Sequence, residues 1–409
     1  MEMPTVEEQL KLIEENCAEI ITGEELQDKL QRSFAEKRPL RCKLGIDPSA
    51  PDIHLGHAVV LHKMRTLQEL GHQLVIILGD FTGQIGDPTD RSETRPQLTR
   101  EEVLANARTY QEQIFKIIDR EKTELLFNSQ WLAALNFSEV IKLAATCTVA
   151  RILEREDFAN RYRGNLPIGI HEFFYPLMQG YDSIAVKADI EFGATEQKFN
   201  LLMGRHLQKE FGQEPQVALT MPILVGTDGV QKMSKSLGNY IGISDPPEEI
   251  YGKVMSISDE IMADYYHLAT RLSSEEVKRI IDGYQGGKIH PRDAKMRLAR
   301  EIVSLYHGAA AAARAEEGFK QVFQRGKMPS EMEVFKISAA ASPDLVSLLV
   351  RTALTSSKSE ARRLIRQGGI RVNGEQVKDM DLRWQDPAEL VLQVGKRKFA
   401  RVIITGKGG

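Results

Sequence analysis

Cysteine is scarce in this 409-residue chain, which contains three, Cys17, Cys42 and Cys147. Three scattered cysteines are too few for a disulfide framework or a cysteine-rich zinc site, so we expect a reducing compartment. Long apolar runs are also missing. The longest aliphatic run near the start, Leu74–Leu78, is far short of the roughly 18 residues that cross a bilayer. We therefore expect a cytoplasmic protein that does not associate with membranes.

An excess of charge of one sign is absent as well. The chain has 54 Lys and Arg against 57 Asp and Glu, a net charge of −3, which argues against a protein that is basic over its whole surface. The charge is unevenly distributed, however. Residues 344–409 hold 13 basic and 7 acidic residues, a net +6, and the preceding 343 residues carry −9. One part of a nearly neutral chain thus has a charge suited to nucleic acid.

Helical and extended patterns alternate over the first half of the chain. The predicted helices cover residues 5–36, 56–70 and 98–118, and the predicted strands cover residues 40–46, 73–80 and 124–127. The nearly continuous apolar run at 73–80 is typical of a strand buried on both faces of a parallel sheet. The alternation predicts a doubly wound, Rossmann-like α/β domain over residues 1–244. Ligands of such sheets bind beyond the carboxyl ends of the strands.

Three further regions follow this domain. Residues 245–326 are rich in Glu, Lys, Ala and Arg with helical spacing, which predicts a helical domain. Residues 327–343 are predicted to form a linker. Residues 344–409 then form a compositionally distinct, basic segment. With 42% hydrophobic residues, the chain is long enough for three domains with apolar cores.

A turn with phosphate-binding character joins the first predicted strand to the next helix. The segment Gly45–His57 contains His54 and His57 on either side of Gly56. A glycine allows close approach of the backbone to a ligand, and a helix N-terminus attracts phosphate through its free N–H groups. Taken alone, the pair also fits a helix cap with two surface histidines. A zinc site is disfavoured because no third ligand with suitable spacing stands nearby.

A second segment, Gln231-Lys-Met-Ser-Lys-Ser-Leu-Gly238, follows the glycine-containing stretch Gly226–Gly229. Small residues between Lys232 and Lys235 are typical of a mobile cationic loop. Such a loop can close over a triphosphate and neutralise charge on the transferred phosphorus. By itself the segment also fits a solvated turn.

Together, His54-Leu-Gly-His57 and Lys232-Met-Ser-Lys-Ser236 resemble the two signature motifs of the class I aminoacyl-tRNA synthetases, in the same order and with a similarly wide separation. The resemblance implies ATP as a substrate, accompanied by Mg²⁺, with no dedicated metal ligands and no tightly bound cofactor. The implied ATP-binding residues are Gly45, Asp47, Ser49, His54, Gly56, His57, Gly193, Gln197, Lys232, Met233, Ser234, Lys235 and Ser236. The candidate catalytic residues are His54, His57, Lys232, Lys235, Arg91 and Arg95. The last two are candidates for binding pyrophosphate, and a solvated basic turn is the alternative for them.

Three more segments resemble the tyrosine-specific branch of that family. Tyr175–Asp182 is similar to its amino-acid pocket, and Gly83–Pro88 and Gly193–Gln197 are similar to two other substrate-facing stretches. The tyrosine-binding residues that this implies are Lys43, Asp87, Tyr175, Gln179, Asp182 and Gln197. Asp87 is expected to hold the α-ammonium and Asp182 the phenolic hydroxyl. A buried acceptor for that hydroxyl would disfavour phenylalanine, because phenylalanine has no hydroxyl and the acceptor would be left without a hydrogen-bond partner. Without the family context, a helix cap and a core aromatic are the alternatives for Asp182 and Tyr175.

Two positions depart from the best-known members of this branch. Lys43 stands where they have a tyrosine that shares recognition of the hydroxyl, and we consider that Lys43 pairs with Asp182 instead. The second signature is Lys-Met-Ser-Lys-Ser rather than a Lys-Phe-Gly-Lys type. Both departures suggest another bacterial branch.

The basic segment contains a helical pattern, 359–366, followed by Gly-Gly and a hairpin signal at Asn373-Gly374. It resembles the S4-type RNA-binding module, which implies salt-dependent contacts with phosphates. The implied RNA-binding residues are Lys358, Arg362, Arg363, Arg366, Arg371, Lys396, Arg397 and Lys398. A solvated helix face is the alternative.

The reaction implied by these resemblances joins tyrosine to tRNA(Tyr) through a tyrosyl-adenylate. A homodimer and an anticodon-binding role for the helical domain are implied as well. Two alternatives stay open from the residues alone. One is a small-molecule adenylyltransferase on the same fold, which would not need the basic segment. The other is an inactive RNA-binding relative, which intact His54, His57, Lys232 and Lys235 argue against.

Overall fold

The structure is a computed structural model of the chain. It describes residues 4–48, 52–88, 99–323, 332–338, 342–384, 386–395 and 398–405. Two compact units are present, Met1–Ala309 and Ala310–Gly409. Within the described ranges, no helix combines the length and the apolar character needed to cross a membrane.

The first unit is built on a six-stranded sheet. Its strands are β1 (Glu19–Ile21), β2 (Arg41–Ile46), β3 (Gln73–Leu78), β4 (Thr123–Phe127), β5 (Ile190–Ala194) and β6 (Val217–Met221). They lie in the order β1-β6-β5-β2-β3-β4, and every neighbouring pair is parallel except β1 with β6. Five of the six residues of β3 are buried, as expected for a strand covered on both faces. The α/β prediction is confirmed.

Helices connect these strands and extend the unit. They are α1 (Val6–Glu14), α2 (Gly23–Glu36), α3 (Leu55–Glu69), α4 (Thr82–Ile85), α5 (Arg100–Ile114), α6 (Ser129–Leu132), α7 (Phe137–Ala144), α8 (Val149–Ile152), α9 (Glu156–Arg163), α10 (Phe174–Val186) and α11 (Lys198–Glu210). Helix α5 begins with a capping box formed by Thr99 and Glu102. The prediction that residues 5–36 are helical throughout is wrong at β1. This three-residue strand pairs with β6, about 200 positions away, a contact that local periodicity does not encode.

The helical region predicted at 245–326 is present. It contains α12 (Pro247–Ser256), α13 (Met262–Ala269), α14 (Ser274–Gln285), α15 (Pro291–His307) and α16 (Ala309–Phe323). Tyr251, Tyr265 and Tyr266 are fully buried among these helices. Helices α12 to α15 belong to the same compact unit as the sheet, so the observed division falls after residue 309 rather than after residue 244.

The second unit contains α17 (Leu345–Arg351), α18 (Lys358–Arg366) and a five-stranded sheet. Its strands are β7 (Val334–Ser338), β8 (Ile370–Val372), β9 (Glu375–Gln376), β10 (Ala388–Val394) and β11 (Lys398–Thr405), in the order β7-β11-β10-β8-β9. Strand β7 pairs in parallel with β11, so these five residues of the predicted linker 327–343 are part of the sheet. The hairpin predicted at Asn373-Gly374 joins β8 to β9, and both residues have positive φ, 51° and 86°.

Candidate active site

A cleft of about 820 Å³ lies beyond the carboxyl ends of the central strands. Residues that end or follow β2, β3 and β5 line it, among them Asp47, Gly79 and Gly193. Open α/β sheets bind their ligands beyond the carboxyl ends of the strands. The cleft lies at this position.

Most of the predicted nucleotide- and tyrosine-binding residues line this one cleft. They are Gly45, Asp47, His54, Gly56, His57, Asp87, Tyr175, Gln179, Asp182, Gly193, Gln197, Lys232, Met233, Ser234, Lys235 and Ser236. The structure thus brings together segments that are up to 191 positions apart in the chain, from Gly45 to Ser236. The predicted residues Ser49, Arg91, Arg95, Lys396 and Arg397 lie outside the described residues.

The two histidines of the first signature begin helix α3. His54 is the N-cap residue, and its ring stacks on that of His57 with centroids 3.9 Å apart. Burial, with the positive charges of the nearby lysines, lowers the pKa of His54 to about 2 and that of His57 to about 4. Both imidazoles are therefore neutral at pH 7. The buried Nδ1 of His54 has no hydrogen-bond partner among the described residues.

Gly56 lies where the two signatures approach each other. A Cβ atom at this position would lie 3.1 Å from Nδ1 of His54 and 3.7 Å from the Cβ of Met233 in the second signature. The distance to the His54 ring is tighter than most Cβ contacts, whereas the distance to Met233 is that of an ordinary van der Waals contact. The glycine therefore leaves room for the His54 ring at the start of α3.

The two lysines of the second signature are held by the protein in this structure. Lys235 donates a hydrogen bond to the carbonyl oxygen of Asp52 and lies 6.0 Å from the centre of the Tyr110 ring. Burial lowers its pKa. Lys232 forms an ion pair with Glu196 at 3.2 Å. Both ammonium groups are thus placed at the cleft by partners within the protein.

Asn239 forms hydrogen bonds that hold the loop Lys232–Ser236 in place. The sequence analysis did not identify Asn239. Its Oδ1 accepts a hydrogen bond from the Ser234 N–H at 2.8 Å, and its Nδ2 donates to the Lys232 carbonyl at 3.0 Å and to Asp228 Oδ2 at 2.7 Å. A Cβ at Gly226 would collide with the Asn239 side chain. The sequence analysis noted Gly226 as part of a glycine-containing stretch. Asn239 belongs to no motif with a recognisable spacing, so its role could not be predicted.

Helix α10 presents Tyr175, Gln179 and Asp182 on one face, since residues at i, i+4 and i+7 coincide on a helix. The Tyr175 hydroxyl donates to Asp47 Oδ2 at 2.9 Å. Burial, together with the nearby carboxylates, raises the pKa of Tyr175 well above its ordinary value. This phenol is therefore a permanent donor that holds Asp47 in the cleft.

Asp182 lies at the buried end of the cleft and accepts hydrogen bonds from Trp131 Nε1 at 2.8 Å and from Asn128 Nδ2 at 3.2 Å. Desolvation raises its pKa to about 7, against the opposing effects of Lys43 and these two donors. A carboxylate has about four acceptor sites, so room for a further donor remains. Neither Trp131 nor Asn128 was predicted, and nothing in their spacing distinguishes them from core residues.

Asp87 lies next to Gln197 in the structure, and Gln197 Nε2 donates a hydrogen bond to Asp87 Oδ2 at 2.7 Å. The other carboxylate oxygen of Asp87 pairs with Arg155 at 3.0 Å. Arg155 is buried and also donates to Asn200 at 2.9 Å. The sequence analysis missed this arginine, which lies in a segment without recognisable motifs.

The hypothesis that Lys43 pairs with Asp182 is wrong. Lys43 Nζ pairs with Glu191 Oε1 at 2.8 Å, and both side chains are fully buried. Strand pairing explains this, because Lys43 of β2 and Glu191 of β5 are direct partners in the sheet register. Lys43 is not one of the described residues that line the cleft.

In the second unit, the predicted RNA-binding residues that the structure describes are exposed. They are Lys358, Arg362, Arg363, Arg366, Arg371 and Lys398. Four of them lie on α18, whose opposite face buries Ala361 and Ile365. The helix therefore turns its basic side outward, as a phosphate-binding face requires.

Among the described residues, no group of three or more His, Cys, Asp and Glu side chains is arranged to hold a metal ion. The site is made of neutral imidazoles, ammonium groups and carboxylates with separate partners.

Comparison with known proteins places the chain in a family. A family model described as tRNA synthetases class I (W and Y) matches residues 35–324, and one described as Tyrosine--tRNA ligase SYY-like C-terminal domain matches residues 320–402. The Tyrosine--tRNA ligase of Moorella thermoacetica is 60% identical over 97% of this chain and 96% of its own length. That of Geobacter sulfurreducens is 54% identical over 97% of this chain and 99% of its own length.

A solved structure is similar as well. The tyrosyl-tRNA synthetase from Archaeoglobus fulgidus complexed with L-tyrosine has a TM-score of 0.62 and 25% sequence identity, covering 76% of this chain and all of that one. The fold, the paired signatures and these matches define an aminoacyl-tRNA ligase. Within that class, the chain belongs to the tyrosine–tRNA ligase family of class I tRNA synthetases.

Proposed function

We propose that this chain activates tyrosine with ATP in the 820 Å³ cleft and transfers the tyrosyl group to the 3'-terminal adenosine of tRNA(Tyr). A tyrosine carboxylate oxygen attacks the α-phosphorus of ATP and pyrophosphate leaves. The terminal ribose hydroxyl then attacks the acyl carbon of the adenylate, and AMP leaves. The observation that carries this proposal is that both signatures and the polar face of α10 line one cleft.

The nucleotide side of the cleft is formed by the two signatures. His54 and His57, both neutral at pH 7, donate hydrogen bonds to phosphate oxygens at the start of α3. Lys232 and Lys235 exchange their present partners for the phosphates and neutralise the charge that develops during transfer. Mg²⁺ enters as the counterion of ATP. A Cβ at Gly45 would have nothing within 4 Å, so the backbone there is open to a nucleotide.

The tyrosine side is formed by two carboxylates. Asp87 holds the α-ammonium, and Asp182 accepts the phenolic hydrogen bond. Trp131 and Asn128 already donate to Asp182, which fixes the orientation of the carboxylate before substrate arrives. No residue needs to act as a covalent nucleophile, since the reaction requires the two substrates to be aligned and their charge stabilised.

The remaining assignments concern partners. We propose that the basic face of α18 and the helical region 245–326 contact the tRNA, the latter at the anticodon, and that residues 344–409 form an S4-like module. Large apolar side chains exposed on two successive short helices, Phe137, Ile141 and Val149, support a homodimer, because clusters of this kind mark protein interfaces. We place the reaction in the cytoplasm, where bacterial tRNA is charged.

The proposal is tested by incubating the enzyme with ATP and each amino acid in turn, without and then with bacterial tRNA. Enzyme-bound aminoacyl-adenylate and charged tRNA are both expected with tyrosine only. An adenylate without charged tRNA would indicate a small-molecule adenylyltransferase. Failure to form any adenylate would indicate an inactive RNA-binding relative.

A further inference from the structure

A fully buried ion pair lies beneath the tyrosine end of the cleft. The side chains of Lys43 and Glu191 are both 0% exposed, and Nζ lies 2.8 Å from Oε1. Lys43 also donates to Ser183 Oγ at 2.8 Å and to the backbone carbonyl oxygen of Gln179 at 3.0 Å. An ammonium group has three protons, so all of those of Lys43 are used inside the protein.

Glu191 accepts hydrogen bonds from several side chains at once. Besides Lys43, it accepts from Gln179 Nε2 at 3.1 Å, from Ser183 Oγ at 3.2 Å and from Gln216 Nε2. A Cβ at Gly204 would lie 3.0 Å from Glu191 Oε2, so the glycine there leaves room for this cluster. A carboxylate paired with an ammonium group accepts hydrogen bonds at both oxygens and donates none.

This arrangement determines which way the Gln179 amide points. Glutamine presents an NH₂ group on one side and an oxygen on the other. Because Glu191 only accepts, the NH₂ group of Gln179 must face it. Gln179 lines the cleft, and its Oε1 accepts no hydrogen bond from the described residues. The amide oxygen, on the other side of the side chain from Glu191, is therefore the acceptor that Gln179 can offer to the cleft.

We propose that Lys43 and Glu191 are a positioning pair that fixes the Gln179 amide, so that its oxygen accepts a hydrogen bond from the α-ammonium of tyrosine. The inference rests on the proposed function. Tyrosine has two donor groups, and the single hydroxyl proton is assigned to Asp182. The ammonium group, with three protons, is the donor that remains for Gln179. Neither Lys43 nor Glu191 contacts the substrate.

The test removes both charges together, because removing one would leave the other buried and unpaired. In the double variant Lys43→Met/Glu191→Leu, the KM for tyrosine in ATP–pyrophosphate exchange is expected to rise by about tenfold or more, the scale of one hydrogen bond to a charged group. The KM for ATP is expected to stay within about twofold of wild type. The inhibition constant of 3-(4-hydroxyphenyl)propionate, which lacks the ammonium group, is expected not to change.

A double-mutant cycle tests whether the Lys43–Glu191 pair acts through Gln179. Gln179→Met should raise the KM for tyrosine in the same way, and adding the pair variant to it should have little further effect, since both act on one hydrogen bond. A matched control is Arg161→Met/Glu172→Leu, which removes an equally buried pair, 2.7 Å apart, from residues that do not line the cleft. This control should leave the KM for tyrosine unchanged.

If Lys43→Met/Glu191→Leu does not fold, Lys43→Gln/Glu191→Gln keeps polar atoms at both positions and should change the KM in the same direction by a smaller factor. If the wild-type enzyme catalyses tyrosine-dependent exchange, either of two results in the pair variant would overturn the inference. One is an unchanged KM for tyrosine, and the other is an equal loss of affinity for 3-(4-hydroxyphenyl)propionate. Wild-type enzyme without tyrosine-dependent exchange would instead overturn the proposed function.

Discussion

The environment of Asp182 shows how single residues set the chemistry of this site. Desolvation raises its pKa to about 7, and the charged groups that face it are Lys43 from β2, which lowers the pKa, and Glu191 from β5, which raises it. Its neutral neighbours Trp131 and Asn128 donate to it. The strength of this carboxylate as an acceptor therefore changes within the physiological pH range.

Replacing Asp182 with Asn should reduce the selectivity for tyrosine over phenylalanine. The variant loses a charged acceptor, and a hydrogen bond to a charged group is worth about 1.5–3 kcal/mol, or about 10- to 150-fold. The ratio of kcat/KM for the two amino acids in pyrophosphate exchange measures the effect, and the KM for ATP serves as the internal control. Unchanged selectivity would remove Asp182 from the hydroxyl site.

The same residue should give the reaction a pH dependence. Because the pKa of Asp182 is about 7, its ionised fraction falls by up to about tenfold per pH unit below that value. The kcat/KM for tyrosine should therefore decrease as the pH falls from 8 to 5.5, while that for phenylalanine should not follow this decrease. His54 and His57, with pKa values of about 2 and 4, should add no change in this range. A flat profile for tyrosine would contradict the assignment.

At the scale of elements, the second signature lies close to the start of α3 and is held by hydrogen bonds with Asn239. Lys235 is positioned by a backbone carbonyl rather than by a carboxylate. It can therefore move to a phosphate without separating an ion pair. This arrangement favours a role in the transfer step over a role in binding the amino acid.

Lys235→Ala should slow adenylate formation in single-turnover measurements far more than it weakens tyrosine binding. The loss is expected to be on the order of 100-fold, comparable with removal of one group that stabilises a transition state. Lys209→Ala, an exposed lysine on α11, is the control and should behave as wild type. Adenylate formation at the normal rate would show that Lys235 has another role.

The elements also show what the sequence could reveal. The two signatures, the strand at 73–78 and the basic helix α18 were predicted because each has a local pattern. Strands β1, β5, β6 and β7 were missed, and β1 and β7 in particular are defined by pairing with distant strands. Lys43 was assigned the wrong partner for the same reason, since the register of β2 with β5 selects Glu191. Arg155 and Asn239 have roles that arise only from contacts made on folding.

At the scale of the whole molecule, the charge of the chain follows its division into two compact units. The unit Met1–Ala309, which contains the cleft, has a net charge of −10, and the unit Ala310–Gly409, with 18 Lys and Arg against 11 Asp and Glu, has a net charge of +7. This separation suggests that amino-acid activation and RNA binding can be separated experimentally. Because β7 pairs with β11, a truncation at residue 344 would leave an unpaired strand, and the end of α16 is a better place to cut.

A chain that ends after residue 323 should retain tyrosine-dependent pyrophosphate exchange but lose most tRNA charging. The removed residues include every described member of the basic set on α18 and β11. In the full chain, Arg362→Glu/Arg363→Glu should weaken tRNA binding. The plot of the logarithm of the binding constant against the logarithm of the salt concentration should become less steep, with a slope smaller by about one to two. Equal loss of both steps on truncation would mean that the second unit supports the fold of the first.

The most direct test of the account is ATP–pyrophosphate exchange by the full-length enzyme with each of the standard amino acids. We predict strong exchange with tyrosine, only weak exchange with phenylalanine, and none above background with tryptophan. Exchange supported by no amino acid, or by tryptophan in place of tyrosine, would contradict the assignment of this cleft to tyrosine activation.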